Sequence, residues 1–211
     1  MGMILNSNAC SYLKSIGASE GQVEAVEKYL SILKSQNQNL NLIGRNETDL
    51  RISHHHVVDC LLPIELMPKG SLSIADIGSG AGFPGLLWAI LMPEKKFLLV
   101  EKSPKKCQFL THTITELQLK NVRVCNSKCS DVTEQVDLIA SRAMTSVSDL
   151  LNQTEKMQKS KTEWWLLKGL KSSIDHELIE VDSAVWCIDV VELKHPYEDV
   201  SRHLVCAKKG R

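Results

Sequence analysis

A glycine-rich segment, "IADIGSGAGFPG" at residues 74–85, holds the residue types and spacing most suited to chemistry. It follows a short apolar run and places Asp76 two residues before the first of four glycines. Glycine adopts positive φ angles at little cost and lets a ligand approach the backbone closely. Loops of this kind at the end of a strand typically bind a nucleotide-containing cofactor. The question is which cofactor this one binds.

Read literally, the segment contains the dinucleotide fingerprint G-x-G-x-x-G, beginning at Gly80, with Glu101 placed to hold ribose hydroxyls. Two details argue against a dinucleotide. The strand reaches its first glycine earlier, at Gly78, and Asp76 would present a negative charge to an incoming diphosphate. A Walker-type phosphate site is excluded because no Gly-Lys-Ser/Thr follows.

A carboxylate at this position suits a ligand that carries a cationic amine or sulfonium and no phosphate. S-adenosylmethionine is such a ligand, with its amino-acid part near Asp76, Gly78, Gly80 and Gly82 and its ribose near Glu101. A tight turn without a ligand would need fewer glycines. The segment therefore predicts a methyltransferase, and an NAD-dependent oxidoreductase remains the alternative, although its usual Tyr-x-x-x-Lys is not found.

The elements that must position this loop alternate between strand and helix from residue 71 onward. Strands are predicted at 72–77, 96–101, 122–126, 136–141, 162–169, 184–193 and 202–209, and helices at 85–92, 104–119, 147–158 and 172–181. This alternation predicts an α/β fold with a mostly parallel seven-stranded sheet covered on both faces. Together with the methyltransferase interpretation of the glycine loop, we expect a Rossmann-like fold of the class I methyltransferase type. The last two strands have no helix between them, so we expect a hairpin that puts one antiparallel strand at the sheet's end.

The N-terminal part of the chain reads differently. Residues 6–36 are predicted to be helical, a loop follows at 36–48, and Thr48 is predicted to cap a helix that runs through Leu66. We therefore expect an N-terminal helical extension at 1–66 and a methyltransferase domain at 67–211.

Composition restricts the remaining choices. The formal net charge is zero, so a nucleic-acid partner must be bound by a local basic patch. Seven cysteines without a Cys-x-x-Cys pair predict reduced thiols in a cytoplasmic protein and no zinc site. His54, His55 and His56 would point about 100° apart on a helix, so no metal site is predicted there either. No apolar run is long enough to span a bilayer.

Beyond the glycine loop, several motifs occur in an order that resembles one family. They are "NLNLIG" at 39–44, "HVVDCL" at 56–61, "DIGSGAGFPG" at 76–85, "SRAM" at 141–144, "LKG" at 167–169 and "RHLV" at 202–205. Together they resemble the bacterial glucose-inhibited division protein B family, also called RsmG, over nearly the whole chain. The family's activity is methylation of guanine N7 in small-subunit (16S) ribosomal RNA.

The resemblance implies roles for individual residues. Gly78 and Phe83 would line the cofactor pocket, and Glu101 would bind the ribose. The backbone of Cys129 and Ser130 would flank the adenine. Where the family often has Arg-Val/Ala-Glu after the third strand, this chain has Lys128-Cys129-Ser130, so a carboxylate contact to adenine is not expected there.

Arg142, at the end of the fourth predicted strand, would face both cofactor and substrate. Cytosine C5 methylation needs a nucleophilic cysteine, typically after proline, and amino-group methylation usually shows an Asn/Asp-Pro-Pro-aromatic run; the chain has neither. Guanine N7 carries a lone pair and no proton, so it needs no general base. We therefore expect Arg142 to orient substrate and cofactor without transferring protons.

Five lysines are candidates for RNA contact. Lys102, Lys105 and Lys106 cluster at a predicted helix start, and Lys168 and Lys171 follow the fifth strand. The expected partner is 16S ribosomal RNA, within the small subunit or its precursor, bound by a monomer. The motif residues His56 and Asp59 either pack over the cofactor mouth or only brace it. A non-catalytic ribosome-assembly or RNA-binding module remains a further alternative.

Overall fold

A seven-stranded sheet organises the computed structural model, which describes residues 3–70, 72–142 and 145–210. The strands are β1 (Ser73–Ile77), β2 (Lys96–Glu101), β3 (Val122–Asn126), β4 (Val136–Arg142), β5 (Gln158–Lys168), β6 (Trp186–Glu192) and β7 (His203–Lys209). Their order across the sheet is β3-β2-β1-β4-β5-β7-β6. Neighbouring strands are parallel except that β7 runs antiparallel to both β5 and β6.

This arrangement confirms the predicted α/β fold, with a mostly parallel sheet and one antiparallel strand. The antiparallel strand was predicted at the sheet's end, and that placement is wrong, since β7 lies between β5 and β6. Leu204, Val205 and Ala207 of β7 are fully buried, whereas side chains along β6 are half-buried or exposed. The interior strand β7 is therefore the more buried of the two, and β6 forms the partly exposed edge.

The carboxyl ends of the parallel strands meet at one edge of the sheet. Ile77, the last residue of β1, pairs with Val100 of β2 on one side and with Ser141 of β4 on the other. The strand order reverses between β1 and β4, because β2 and β3 are added on one side of β1 and the next strand, β4, pairs with its other side. A ligand crevice is expected at such a switch point.

Helices cover both faces of the sheet. After the sheet's first strand come α5 (Gly85–Leu91), α6 (Pro104–Glu116), α7 (Val147–Gln153) and α8 (Lys171–Leu178), with short 3₁₀ turns at Cys129–Asp131 and Glu155–Met157. Successive residues of a strand point to opposite faces. Accordingly, Ile74 and Leu99 join one buried cluster while Ala75 and Leu98 join the other.

The N-terminal extension begins with two helices, α1 (Ser7–Ser15) and α2 (Glu20–Leu40), in the region predicted to be helical. Gly17, at φ +89°, ends the first, and Ser19 caps the second through a reciprocal pair of hydrogen bonds with Gln22. α2 also runs beyond the predicted start of the loop. The buried side chain of Asn37 explains this, because its Oδ1 accepts from the N–H of Ile43 and folds the following loop back onto the helix.

The segment after Thr48 is helical, as predicted, but it is not one regular helix. It comprises α3 (Asp49–Arg51), a π-helix (Ile52–Val58), α4 (Asp59–Leu61) and a 3₁₀ turn (Ile64–Leu66). Thr48 caps it by accepting from the N–H of Arg51 at 3.3 Å. π-helical turns are rare and frequently occur at functional sites.

The extension shares a core with the sheet. Tyr29 of α2 donates a hydrogen bond to the carbonyl of Ala81, and the indole N–H of Trp88 donates to the carbonyl of Cys60. Buried side chains of α1, α2 and α4 belong to the same apolar cluster as α5. The division into an extension and a domain at residue 66 stays a prediction.

Two further findings concern membrane-spanning helices and metal-binding groups. Among the described residues, no helix combines the length and apolarity needed to cross a membrane. Within the same residues, no group of three or more metal-binding side chains comes together, and the three histidines at 54–56 instead contact carboxylates.

Candidate functional site

A cleft of about 570 Å³ opens at the carboxyl ends of β1, β2 and β4, where the topology predicts a ligand site. Of the residues predicted to bind the cofactor, six line this cleft: Gly78, Gly80, Glu101, Cys129, Ser130 and Arg142. They come from four separate segments of the chain. The sheet topology therefore assembles most of the predicted site.

The glycine loop forms the floor of the cleft. Gly78 and Gly80 have φ angles of +71° and +54°, which other residues rarely adopt. The N–H of Gly78 donates to the carbonyl of Val100 at 2.9 Å, and the N–H of Ser79 shares that acceptor. The loop is thereby fixed to the end of β2, so its backbone is pre-formed for a ligand.

Glu101 ends β2 and is only 7% exposed. Its Oε2 accepts from the N–H of Gly80 at 3.0 Å, and its Oε1 accepts from the N–H of Ser103 at 2.8 Å. Each carboxylate oxygen can accept a further hydrogen bond. The backbone thus holds the carboxylate in one orientation while leaving capacity for a diol such as a ribose.

Asp76 lies behind the loop and does not line the cleft. It is 1% exposed, its Oδ2 accepts from the N–H of Gly85 at 3.1 Å, and burial raises its pKa to about 6. Its Oδ1 has no hydrogen-bond partner among the described residues. Asp76 therefore connects the end of β1 to the start of α5, and its contact with a cationic cofactor stays a prediction.

Gly82 and Phe83 also lie behind the cleft. A Cβ at Gly82 would come within 3.0 Å of the Tyr29 hydroxyl oxygen, so the residue must be glycine for the extension to pack here. The Phe83 ring packs under the Arg142 guanidinium, 5.2 Å from ring centroid to Cζ, and stacks on His56 at 5.2 Å. Phe83 supports the residues above it, and its predicted cofactor contact stays a prediction.

Arg142 is held by the π-helix. Its Nη1 donates to the carbonyl of His55 at 3.0 Å, and its Nη2 donates to Nδ1 of His56 at 2.9 Å. A guanidinium has only donors, so Nδ1 must be the acceptor and the ring proton is on Nε2. That proton is donated to Oε2 of Glu47 at 2.7 Å.

His56 is consequently neutral. Burial and the adjacent Arg142 charge lower its pKa to about 4, against the opposing effect of Glu47. The chain Glu47–His56–Arg142 fixes the guanidinium at the rim of the cleft. The sequence left two roles open for His56, packing over the cofactor mouth or bracing it. In the structure His56 accepts a hydrogen bond from Arg142 and so braces that side chain.

Cys129 and Ser130 form the wall opposite the glycine loop, on the 3₁₀ turn after β3. The thiol of Cys129 donates to Oε1 of Gln153 at 3.2 Å, and burial raises the pKa of Cys129. The thiol is therefore protonated at neutral pH and does not serve as a nucleophile. Their predicted contact with adenine stays a prediction.

Sequence reasoning missed several lining residues: Ile77, Val100, Ser127, Lys128, Thr145 and Gln153. Ser127 and Lys128 follow the end of a parallel strand, a position that could have identified them. Gln153 gave no such signal, because only the packing of α7 against the turn after β3 brings it to the cleft. Ala143 and Met144 of the "SRAM" motif lie outside the described residues.

The predicted RNA-binding lysines divide into two groups. Lys102 and Lys106 line the cleft and Lys105 is exposed beside them; none of the three makes an ion pair within the part of the chain that the structure describes. Lys168 and Lys171 are engaged differently. Lys168 is largely buried, with Nζ 2.8 Å from Oε2 of Glu177, and Lys171 pairs with Asp175. RNA contact remains a prediction for all five.

A second, smaller cavity of about 290 Å³ lies on the other side of Arg142. β7 begins where β5 ends, and this antiparallel pairing places His203 beside Lys168. The cavity is lined by His56, Asp59, Arg142, Leu167, Lys168, Gly169, Leu193, Arg202 and His203. Arg142 is the one described residue that lines both this cavity and the cleft.

Sequence comparisons match the chain over most of its length. The family model GidB, described as rRNA small subunit methyltransferase G, matches residues 22–205. Ribosomal RNA small subunit methyltransferase G 1 of Bdellovibrio bacteriovorus is 35% identical, covering 90% of this chain and 92% of that protein. Ribosomal RNA small subunit methyltransferase G of Wolinella succinogenes is 37% identical, covering 70% of this chain and 75% of that protein.

Solved structures are similar in fold at much lower identity. A SAM-dependent methyltransferase from Aquifex aeolicus superposes with a TM-score of 0.57 at 18% identity, covering 74% of this chain and 92% of that one. An rRNA methylase from Streptococcus thermophilus superposes with a TM-score of 0.50 at 13% identity, covering 73% and 94%. At these identities the likeness shows the Rossmann-like methyltransferase fold and nothing finer.

Proposed function

The chain belongs to the GidB family, the rRNA small subunit methyltransferase G proteins, and from that premise we propose that it methylates N7 of a guanosine in 16S ribosomal RNA. The methyl donor in this proposal is S-adenosylmethionine. The observation that carries it is the position of Arg142, which lines the cleft formed by the glycine loop and Glu101 and also lines a second cavity next to it.

The residues of the cleft fit this donor. Glu101 is oriented to receive ribose hydroxyls, and the backbone of Gly78 and Gly80 is open to an amino-acid group because neither residue has a side chain. Cys129 and Ser130 offer a wall for the adenine. When bound, S-adenosylmethionine supplies a methyl group on a positively charged sulfur.

The transfer to guanine N7 needs no proton acceptor. S-adenosylmethionine held by Gly78, Gly80 and Glu101 would supply an electrophilic methyl group, and the N7 lone pair would accept that group without loss of a proton. The work of the protein is then to hold the two reactants in line and exclude water. Arg142, held in place by neutral His56, orients the base by donating a hydrogen bond to guanine O6.

We propose that the substrate is the small subunit or its precursor, bound in the cytoplasm by a single copy of the chain. With no net charge over the whole molecule, attraction to RNA falls to the local group Lys102, Lys105 and Lys106 at the cleft rim. A particle of defined shape adds contacts that free RNA lacks, which compensates for the weak overall charge.

The test is to map methylated guanosines by mass spectrometry in 16S ribosomal RNA from cells with and without the gene. We expect one 7-methylguanosine to disappear on deletion and to return on complementation with the wild-type chain. An unchanged set of methylated guanosines would exclude the proposed function. Calorimetry with S-adenosylmethionine and with NAD separates it from the oxidoreductase alternative, since only the first is expected to bind.

A further inference from the structure

The second cavity lies where a methyl acceptor must sit. It is adjacent to the cleft across Arg142, and its lining comes from β5, β7 and the π-helix region. Its volume of about 290 Å³ is at the lower limit of ligand pockets, which suits one nucleobase better than a larger group. Enzymes that modify a base take it out of the stack and into such a pocket.

Asp59, which lines this cavity, has a carboxylate oxygen whose hydrogen bonding the described contacts do not explain. Its Oδ2 accepts from Nε of Arg202 at 2.7 Å, but its Oδ1 has no hydrogen-bond partner among the described residues. The Nε2 atom of His195, which is buried and also has no hydrogen-bond partner among the described residues, lies 3.9 Å from Oδ1, beyond hydrogen-bond distance. The Asp59 side chain is only 11% exposed, and burial raises its pKa.

A buried carboxylate oxygen without a donor costs stability, so its retention calls for an explanation. Asp59 is one of the residues that line the cavity, so a ligand there that supplies N–H donors to its carboxylate would offset part of this cost. Leu167 and Leu193 give the cavity apolar walls that can cover the face of a base, and Asp59 is the only carboxylate among its lining residues.

We propose that this cavity receives the base of the target guanosine and that Asp59 determines its specificity by accepting from the N1–H and N2–H₂ groups. The proposal rests on the proposed function. Guanine carries these donors on one edge and the acceptors O6 and N7 on the other. With Asp59 on the first edge and Arg142 on the second, N7 faces the cleft. Adenine lacks N1–H and has an amino group where guanine has O6, so both contacts would be lost.

The primary test uses small subunits reconstituted with guanosine or inosine at the mapped target nucleotide. Inosine lacks only the N2 amino group and keeps N1–H, O6 and N7. For the wild-type protein we expect inosine to lower kcat/KM for the subunit roughly tenfold or more, the cost of a lost hydrogen bond to a charged group. In Asp59→Asn the penalty for inosine should shrink to about twofold or less, because the carboxylate that favours guanosine is gone.

The matched control is Asp49→Asn, an exposed carboxylate of the same extension that pairs with Lys34, and it should keep the full inosine penalty. A merely structural role for Asp59 would lower both rates equally and leave the penalty intact, which would overturn the proposal. Equal rates on guanosine and inosine in the wild type would also overturn it. If the wild type methylates neither subunit, the proposed function itself has failed.

A steric variant tests the cavity independently. Gly169 lines it, and a Cβ added there would meet no other atom within 4 Å, so Gly169→Leu should fold normally. We expect it to lower kcat/KM at least tenfold for the subunit while leaving calorimetric binding of S-adenosylmethionine unchanged. Gly21→Leu, equally unhindered on α2, is the control. If Gly169→Leu methylated the subunit with the wild-type kcat/KM, the base would not bind in this cavity and the proposal would be overturned.

Discussion

At the scale of single residues, the site depends on how Arg142 is held. The side chain lies over Phe83, donates to the π-helix through two nitrogens, and gains its orientation from a neutral histidine that is itself held by Glu47. Each partner removes rotational freedom from a long, flexible side chain. Three partners fix the direction of the guanidinium N–H groups, as directional hydrogen bonds to a ligand require. An interaction through charge alone would not need the side chain to be fixed in this way.

Arg142→Ala should lower kcat/KM for methylation by at least a hundredfold with the fold intact, because the substrate and the transferred methyl group lose their alignment. Arg142→Lys should recover little, since an ammonium cannot make the paired contacts of a guanidinium. Steady-state kinetics alongside circular dichroism would measure both. Arg123→Ala, which removes an exposed ion pair with Glu134, should be silent; a folded Arg142→Ala with normal rates would contradict the role.

His56 should make the fold sensitive to acid. Its pKa is about 4 in the folded protein and near 6.5 when unfolded, so between these values the unfolded state alone takes up a proton. The contribution of this residue to the free energy of unfolding therefore falls as pH drops from about 6.5 to about 4, by on the order of 3 kcal/mol in total.

Urea unfolding of the wild type and His56→Asn across this pH range would measure the effect. Asparagine can supply an acceptor near the position of Nδ1 and does not titrate, so the variant should lose part of the pH dependence. His112→Asn, on α6 outside the site, is the control. The interpretation fails if both variants and the wild type keep the same slope of stability against pH.

At the scale of elements, the strand-to-helix turn between β1 and α5 is tightly packed. Gly85 opens α5 with its N–H bonded to Asp76, and a Cβ there would lie 2.6 Å from the Asp76 Cβ and 2.6 Å from Leu99 Cδ2. No side chain can be added without moving a strand. The glycines of this segment thus serve two needs, since Gly78 and Gly80 adopt positive φ angles and Gly85 allows close approach.

Gly85→Ala should therefore destabilise the protein by about 1–3 kcal/mol, the usual cost of overpacking a core. Gly21→Ala, in an exposed turn of α2 with nothing within 4 Å, should instead stabilise it by about 0.5–1 kcal/mol, because alanine has the higher helix propensity. Denaturant midpoints with unchanged m-values would report both. An equal or reversed order of the two variants would contradict the packing argument.

Regular elements were predictable from the sequence because their signals are local. β2 and β3 begin and end where the apolar runs "KFLLVE" and "VRVCN" do. The π-helix at Ile52–Val58 was not predictable, since its residues satisfy an ordinary helical pattern and only the packing against Arg142 and Glu47 distinguishes it. The same limit applies to Gln153, which reaches the cleft through tertiary packing, and to β7, whose interior position depends on its burial relative to β6.

At the scale of the whole molecule, the extension is part of the site. α2 reaches the glycine loop through Tyr29, and the π-helix reaches β4 through Arg142. The loop between β6 and β7 closes the arrangement, with Glu198 accepting a hydrogen bond from His54 and lying 2.9 Å from Nε2 of His55. The cleft and the smaller cavity are thus shaped by segments far apart in the sequence.

The distribution of charge predicts how RNA binding responds to salt. Replacing Lys102, Lys105 and Lys106 by glutamine should reduce the slope of log Kd against log salt by about two units or more, if each lysine neutralises one phosphate. Filter binding of the small subunit at several salt concentrations would measure it. The control triple variant of Lys96, Lys120 and Lys161, near the amino ends of β2, β3 and β5 and also without ion pairs among the described residues, should leave the slope unchanged; equal slopes in all three proteins would refute the assignment.

Arg142 lines both the cleft and the smaller cavity, so this one side chain can link the occupancy of one to the occupancy of the other. A ligand that changes the position of this guanidinium changes the affinity of the second ligand by some factor, and the second must change the affinity of the first by the same factor. If donor and acceptor bind in these two cavities as proposed, their binding would be cooperative whenever either one moves Arg142, and comparing each affinity with and without the other ligand would measure that coupling.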